Sequence, residues 1–151
     1  MAIKVGDMAP EFELKDQNGV IFNLVKHIGN ENILVYFYPK DETPGCTKEA
    51  CTFRDNIEQF KGLNCKVVGI SRDSQANHKS FAEHHNLPFT LLSDPKNKVR
   101  KLFGVKAAIP GVLPGRKTYL INKKGMVSHI SEYQFKPLLH VQEALKALEN
   151  V

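Results

Sequence analysis

The chain has 151 residues, 42% hydrophobic and 25% charged, which at about 150 residues per domain makes one domain, residues 1–151. No apolar run approaches the ~20 residues of a membrane span, and ten glycines and eight prolines without a low-complexity tract exclude collagen-like and disordered classes. The formal charge of +5 is spread along the chain, and there is no tryptophan and no aromatic–basic interleaving, so neither nucleic acid nor membrane is expected as a partner.

In chain order, Met1 to Asp7 lacks the charged-then-apolar pattern of a signal peptide, which reads as cytoplasmic, although an organelle-targeting leader removed earlier would leave no trace. Phe12–Leu14 and Val20–Leu24 flank Asp16-Gln17-Asn18-Gly19 and predict an N-terminal β-hairpin. Ile33 to Tyr38 is a continuous β-branched and aromatic run, the mark of a central strand buried on both faces. Cys46, Ala50, Phe53, Ile57 and Phe60 recur at helical spacing, and Lys66–Ser71 is the next strand, completing a right-handed βαβ unit. Ser74 caps a second helix that turns Phe81 and Ala82 inward and stops before Pro88. Phe89–Leu92 is a short strand. Asp94-Pro95 offers an N-cap and a first helical proline for a helix that Gly104 closes. Thr118–Asn122 and Met126–Ser131 form a second hairpin, and a last helix starts near Pro137 and buries Leu138, Val141, Leu145 and Leu148. The pattern predicts an α/β fold, a central mixed sheet flanked by helices.

In open α/β sheets the functional crevice lies beyond the carboxyl ends of the central strands, which points to Tyr38 through Cys51. Thr43 as N-cap and Pro44 as first helical residue place Cys46 in the first turn of a helix. The partial positive charge and free N–H groups there favour a thiolate, the nucleophilic form, whose first oxidation product is a sulfenic acid. A cysteine on an apolar stripe is equally well a small core residue, and position alone does not separate the two.

The chain has three cysteines, Cys46, Cys51 and Cys65, too few for a disulfide framework and in keeping with a reducing compartment. In an ideal helix Cys51 lies ~7.5 Å along the axis from Cys46 and ~140° around it, a Cα separation near ~8.6 Å. Disulfides need less than about 7 Å. A structural disulfide is therefore excluded, and a catalytic one requires the helix start to unwind, a two-state element set by oxidation. No metal is expected: Cys-x4-Cys is outside the usual zinc spacing, and His78, His84 and His85, read as surface or half-buried, supply no matching pair. Cys-x-x-Cys, the mark of a thioredoxin-like reductase, is absent.

Pro39-x3-Thr43-x2-Cys46 with Cys51 five residues later resembles the peroxiredoxins, specifically the atypical two-cysteine Q type, or bacterioferritin-comigratory-protein-like branch. The likeness runs from Gly6-Asp7-Met8-Ala9-Pro10-Glu11-Phe12 through Gly115–Leu120 to Tyr133-Gln134-Phe135-Lys136-Pro137, and its later segments are most similar to plant and cyanobacterial members. The resemblance implies a thioredoxin-like fold. It makes Cys46 the peroxidatic and Cys51 the resolving cysteine, Thr43 the hydroxyl that contacts sulfur and peroxide, Pro39 a shield and Arg116 the active-site arginine. A guanidinium beside Cys46 stabilises thiolate and donates to peroxide oxygens as charge moves to the leaving oxygen. Taken alone, Arg116 reads as a surface arginine opening a strand, and Glu49 and Arg54 either orient the site or form a helix-surface pair. Cys65 is a second resolving candidate, ranked below Cys51.

The expectation is a thiol peroxidase acting on hydrogen peroxide and organic hydroperoxides. It needs no cofactor, is re-reduced by thioredoxin or a similar dithiol, and acts as a monomer, the usual state of the Q type. Two alternatives are a binding module switched by a Cys46–Cys51 disulfide, which would oxidise once and cycle slowly, and a general disulfide reductase, which would need no peroxide.

Overall fold

The run Ile33 to Tyr38 forms the centre of the molecule, and its alternation assigns a helix layer to each face of the sheet. The computed structural model describes residues 2–107, 115–133 and 136–150. Strand β3 (Asn32–Phe37) pairs in parallel with β4 (Cys65–Ser71), which pairs in parallel with β5 (Thr90–Ser93). On its other side β3 pairs antiparallel with β6 (Lys117–Ile121), which leads into β7 (Val127–Ser131). The N-terminal hairpin, β1 (Glu13–Asp16) and β2 (Ile21–Asn23), adds antiparallel to β5, giving a seven-stranded mixed sheet in the order β2-β1-β5-β4-β3-β6-β7.

Leu34 and Tyr36 face the layer made by α1 (Pro44–Asp55), α2 (Ile57–Gly62), α3 (Gln75–His85) and α5 (Pro137–Glu149), where Phe53, Phe60, Phe81, Val141 and Leu148 are buried. Ile33, Val35 and Phe37 face the opposite layer, with Phe12, Phe22 and Phe103 of α4 (Lys98–Phe103). Each such side chain contributes roughly 1.5–3 kcal/mol when fully buried. On the first face Tyr36 stacks on Phe53 at 4.6 Å between ring centres.

The register of β3 positions the chemistry. Phe37 pairs with Lys117, so the residue before β6, Arg116, lies at the carboxyl end of β3, where Tyr38 and Pro39 lead into α1. An antiparallel neighbour thus delivers a residue 70 positions from Cys46 to the same end of the sheet.

Several expected boundaries shift. The stripe from Cys46 to Phe60 is two helices, broken at Asn56, whose side chain donates to the Thr52 carbonyl at 2.8 Å. Helix α4 starts at Lys98 rather than after Asp94. The Asp94 carboxylate still caps it, but by accepting from the amides of Val99 and Arg100 across a turn closed by left-handed Asn97. On α5 the buried positions are His140, Val141, Ala144 and Leu148, with Leu138 and Leu145 half-buried, so the inward face is rotated toward a histidine. His78 is fully buried rather than at the surface. Its ring contacts Asp41 at 2.6 Å and the Leu92 carbonyl at 2.9 Å, which replaces the lost hydration.

Gly69 is paired with Tyr36, and a Cβ there would lie 2.8 Å from the Tyr36 ring carbon that bears the hydroxyl. Gly69→Ala is expected to destabilise the fold by about 1–3 kcal/mol through overpacking, read as a lower urea midpoint at unchanged slope.

Candidate active site

Thr43 takes the extended conformation of an N-cap (φ −85°, ψ 151°), its carbonyl accepts from Thr47, and Pro44 opens α1. The amides of Gly45 and Cys46 precede the first intrahelical bond, so the Cys46 sulfur lies at the positive end of the helix. Cys46 is buried, 2% exposed. The Thr43 hydroxyl does not cap the helix, contrary to one of its two expected roles. It donates to the Lys40 carbonyl at 2.8 Å, which orients its lone pairs and leaves the helical amides unblocked by it. Pro39 is buried at the turn between strand and helix.

Arg116 is buried against both ends of this group. Its Nη2 donates to Cys46 Sγ at 3.5 Å and its Nη1 to Glu49 Oε1 at 2.6 Å. Burial works against the guanidinium charge, but Glu49 and Cys46 outweigh it and hold the group above its ordinary value. Glu49, one helical turn after Cys46, is fully buried and not a surface residue. Burial pushes its carboxyl up to about 7 even against the pull of Arg116. Its second oxygen has no hydrogen-bond partner among the described residues, and His140 Nδ1 lies 4.0 Å from it. His140 Nε2 lies 2.7 Å from the Tyr133 carbonyl oxygen and 3.2 Å from the Tyr133 amide, and Nδ1 lies 2.7 Å from the Thr118 hydroxyl.

Two further groups brace the backbone on either side of the sulfur. Arg100 on α4 donates to the Tyr38 carbonyl at 3.0 Å and to the Gly115 carbonyl at 2.6 Å, tying the residue before Pro39 to the residue before Arg116. Burial lowers its basicity to about 10, which leaves it charged. Asp41 accepts from the Tyr38 hydroxyl at 2.6 Å, and its backbone amide donates to Asp73 at 2.9 Å, fastening the loop to the end of β4. At Gly45 an added Cβ would lie 3.2 Å from Arg116 Nη2, so the absence of a side chain lets the guanidinium reach the helix start.

All three cysteines are free thiols. Cys51 is half-buried on α1, which is unbroken between it and Cys46. Cys65 pairs with Asn32 at the amino end of β3, whereas Cys46 follows its carboxyl end, about 17 Å away along the strand. Burial pushes the Cys65 thiol up to about 12, so it remains protonated. The structure therefore brings Cys46, Thr43, Pro39 and Arg116 to one end of the sheet with Cys51 about 1.4 turns along the helix, and leaves Cys65 apart. Gln134 and Phe135, part of the resembling segment, lie outside the described residues. From sequence Glu49 is left between orienting the site and a helix-surface pair, and Arg100 has no role in the site. Glu49 does lie on the inward stripe of Cys46, Ala50 and Phe53, a signal that marks it as buried, whereas no local signal marks Arg100.

Residues 5–130 match the model of the AhpC/TSA family. The chain is 52% identical over 149 residues to a chloroplastic peroxiredoxin Q of Populus jackii, covering 99% of this chain and 70% of that protein. Among solved structures it is similar to the peroxidoxin BcpB of Mycobacterium tuberculosis, with a TM-score of 0.91 at 36% identity over 99% of this chain and 98% of that one. A bacterioferritin comigratory protein of Xanthomonas campestris, described for its alkyl peroxide reduction activity, superposes with a TM-score of 0.84 at 30% identity over 92% of this chain and 90% of that one.

The raised Glu49 carboxyl has a consequence for stability. Its folded value, about 7, lies above the ordinary 4.5, so the folded state binds the extra proton and stability falls as pH rises from about 4.5 to about 7. The full effect is on the order of 3 kcal/mol. His140, whose neutral form is favoured by burial, contributes with the opposite sign up to its ordinary 6.5. Urea unfolding across this range is expected to show the fall for the native chain, whereas Glu49→Gln removes it and leaves the opposite slope of His140.

Proposed function

The chain belongs to the AhpC/TSA family and, as a peroxiredoxin of the Q kind, is a thiol peroxidase; on that premise we propose that Cys46 is the sulfur that peroxide oxidises and Cys51 the thiol that resolves it. The observation that carries the assignment is the Cys46 sulfur, buried at the start of α1 with the Arg116 guanidinium 3.5 Å away. Both features stabilise negative charge on sulfur, and the same guanidinium can donate to a bound peroxide.

In the first step the Cys46 thiolate attacks one oxygen of the hydroperoxide and the O–O bond breaks. The electron pair leaves on the other oxygen, which takes up a proton and departs as water or alcohol, and Cys46 becomes a sulfenic acid. Arg116 is placed to hold the oxygens as charge shifts between them, with the Thr43 hydroxyl orienting the peroxide and Pro39 keeping bulk water from the sulfur. Beside the site a cleft of about 640 Å³, lined by Pro44, Lys48, Lys136, Pro137, Leu138 and Leu139, gives room for the organic group of an alkyl hydroperoxide.

In the second step Cys51 sulfur attacks Cys46, the S–O bond breaks and water leaves, forming a Cys46–Cys51 disulfide. Both residues lie on one continuous helix, about 8.6 Å apart at Cα in ideal geometry, so the first turns of α1 unwind for the bond to form. Thioredoxin or a similar dithiol then reduces the disulfide and is itself oxidised. Sulfur carries the whole redox change, so no cofactor or metal is required for turnover. We also assign the activity to the chain as a single domain and a monomer. Three cysteines, too few for a disulfide framework, suit a reducing compartment, the cytoplasm or the chloroplast named for its plant relatives. Among the described residues no helix is long and apolar enough to cross a membrane.

A redox-switched binding module would share the same unwinding helix but would not turn over. With excess peroxide and a dithiol donor the native chain is expected to consume many equivalents, and Cys46→Ser none above background. Cys51→Ser is expected to consume one equivalent and to accumulate a sulfenic acid trapped by dimedone. Arg116→Met should lower kcat/KM about 10²–10³-fold. Turnover retained in Cys46→Ser contradicts the mechanism, and a native chain that stops at one equivalent supports the switch.

A further inference from the structure

Glu42, one residue before Thr43, has a backbone φ of 62°, a left-handed conformation that side chains other than glycine seldom adopt. There its carboxylate meets two histidines at the carboxyl end of α3. Oε2 lies 2.9 Å from His84 Nδ1 and Oε1 2.8 Å from His85 Nε2. Adjacent helical side chains leave the axis about 100° apart. These two converge because His84 presents its near ring nitrogen and His85 its far one, with ring centres 4.2 Å apart. His85 is held by the edge of Phe81 at 5.2 Å, and its carbonyl accepts from Arg54 at 2.7 Å.

We propose that Glu42, His84 and His85 form a binding site for a divalent transition-metal ion of the zinc, cobalt or nickel class. One ligand atom from each residue lies within 4.8 Å of the other two. Ligands held 2.0–2.1 Å from a tetrahedral ion are roughly 3.3 Å apart, so the two contacts from Glu42, at 2.9 and 2.8 Å, need open by only a few tenths of an ångström to admit one. Two imidazoles and a carboxylate are a donor set for such ions and leave positions for water. The carboxyl end of α3, 11 residues long, adds the negative end of its dipole.

A second cluster, Asp41, Asp73 and His78, has comparable spacing and serves as the contrast. Asp41 and His78 are buried, and the polar atoms of the cluster already bond to Tyr38, Ser71 and the Leu92 carbonyl, so it braces the loop. Glu42 and His84 are exposed, and an ion can reach them. When occupied, the site fastens the segment that leads into α1 onto α3. The assignment does not depend on which cysteine is oxidised, and its readout is metal binding.

The test is anaerobic titration of the reduced full-length chain with Co²⁺, followed by visible and near-ultraviolet absorption. The expected result is one equivalent bound, with the weak visible bands of nitrogen and oxygen ligands and no intense sulfur-to-cobalt charge transfer. His84→Asn and Glu42→Gln should each weaken binding at least about tenfold. Both positions are exposed, so the metal-free melting temperature should be unchanged. Added Zn²⁺ should raise the melting temperature of the native chain but not of Glu42→Gln. Absence of saturable binding, binding that survives both substitutions, or a charge-transfer band lost in Cys46→Ser would each overturn the proposal.

Discussion

A single guanidinium, that of Arg116, lies between the Cys46 sulfur and the Glu49 carboxylate in a space closed to water, and the surrounding structure serves to keep it there. A cation so placed would be costly to bury alone; hydrogen bonds to the Glu49 carboxyl group on one side and the Cys46 sulfur on the other offset that cost. The arrangement depends on sheet register, because only antiparallel pairing of β6 with β3 sets residue 116 beside the end of the central strand. A slip of one residue would turn the alternation of both strands inside out. Arg100 then joins the two carbonyls that flank the site, so the strand ends move together.

The same geometry makes α1 a helix under opposed demands. While it is wound, Cys46 and Glu49 both reach Arg116, and Cys51 stands too far along the helix to bond. The proposed disulfide requires the opposite state, in which the first turns open and Cys46 leaves Arg116. In the proposed cycle the contacts that hold Arg116 beside the sulfur are therefore also the ones that open before Cys51 reacts. Asp41, anchored to Tyr38, His78 and Asp73, fixes the segment that leads into α1.

Much of this was legible in the sequence, for reasons that can be named. The run Ile33 to Tyr38 is apolar on both faces because both faces are covered, and the Thr43-Pro44 pair marks a helix start whatever lies around it. The α/β architecture with its N-terminal hairpin follows from such local patterns, and the solved relatives share it. Roles that depend on long-range pairing were not legible in the same way. Arg116 alone looks like a surface residue opening a strand, and only the β3–β6 register turns it inward. His78 and Glu49 read as polar positions on helices because their partners, Asp41 and Arg116, lie 37 and 67 residues away. The start of α4 was misplaced because Asp94 caps from outside the helix, across a turn that propensity alone does not reveal.

The central claim is that Cys46 and Cys51 act as a pair across a helix that opens, and the most direct test is peptide mapping after one equivalent of hydrogen peroxide. With thiols blocked before digestion, trypsin cleaves after Lys40, Lys48, Arg54, Lys61 and Lys66, placing the three cysteines on three separate peptides. The account predicts Asp41–Lys48 linked to Glu49–Arg54, with Gly62–Lys66 still reduced. A link from Asp41–Lys48 to Gly62–Lys66, or three thiols left reduced, would contradict it.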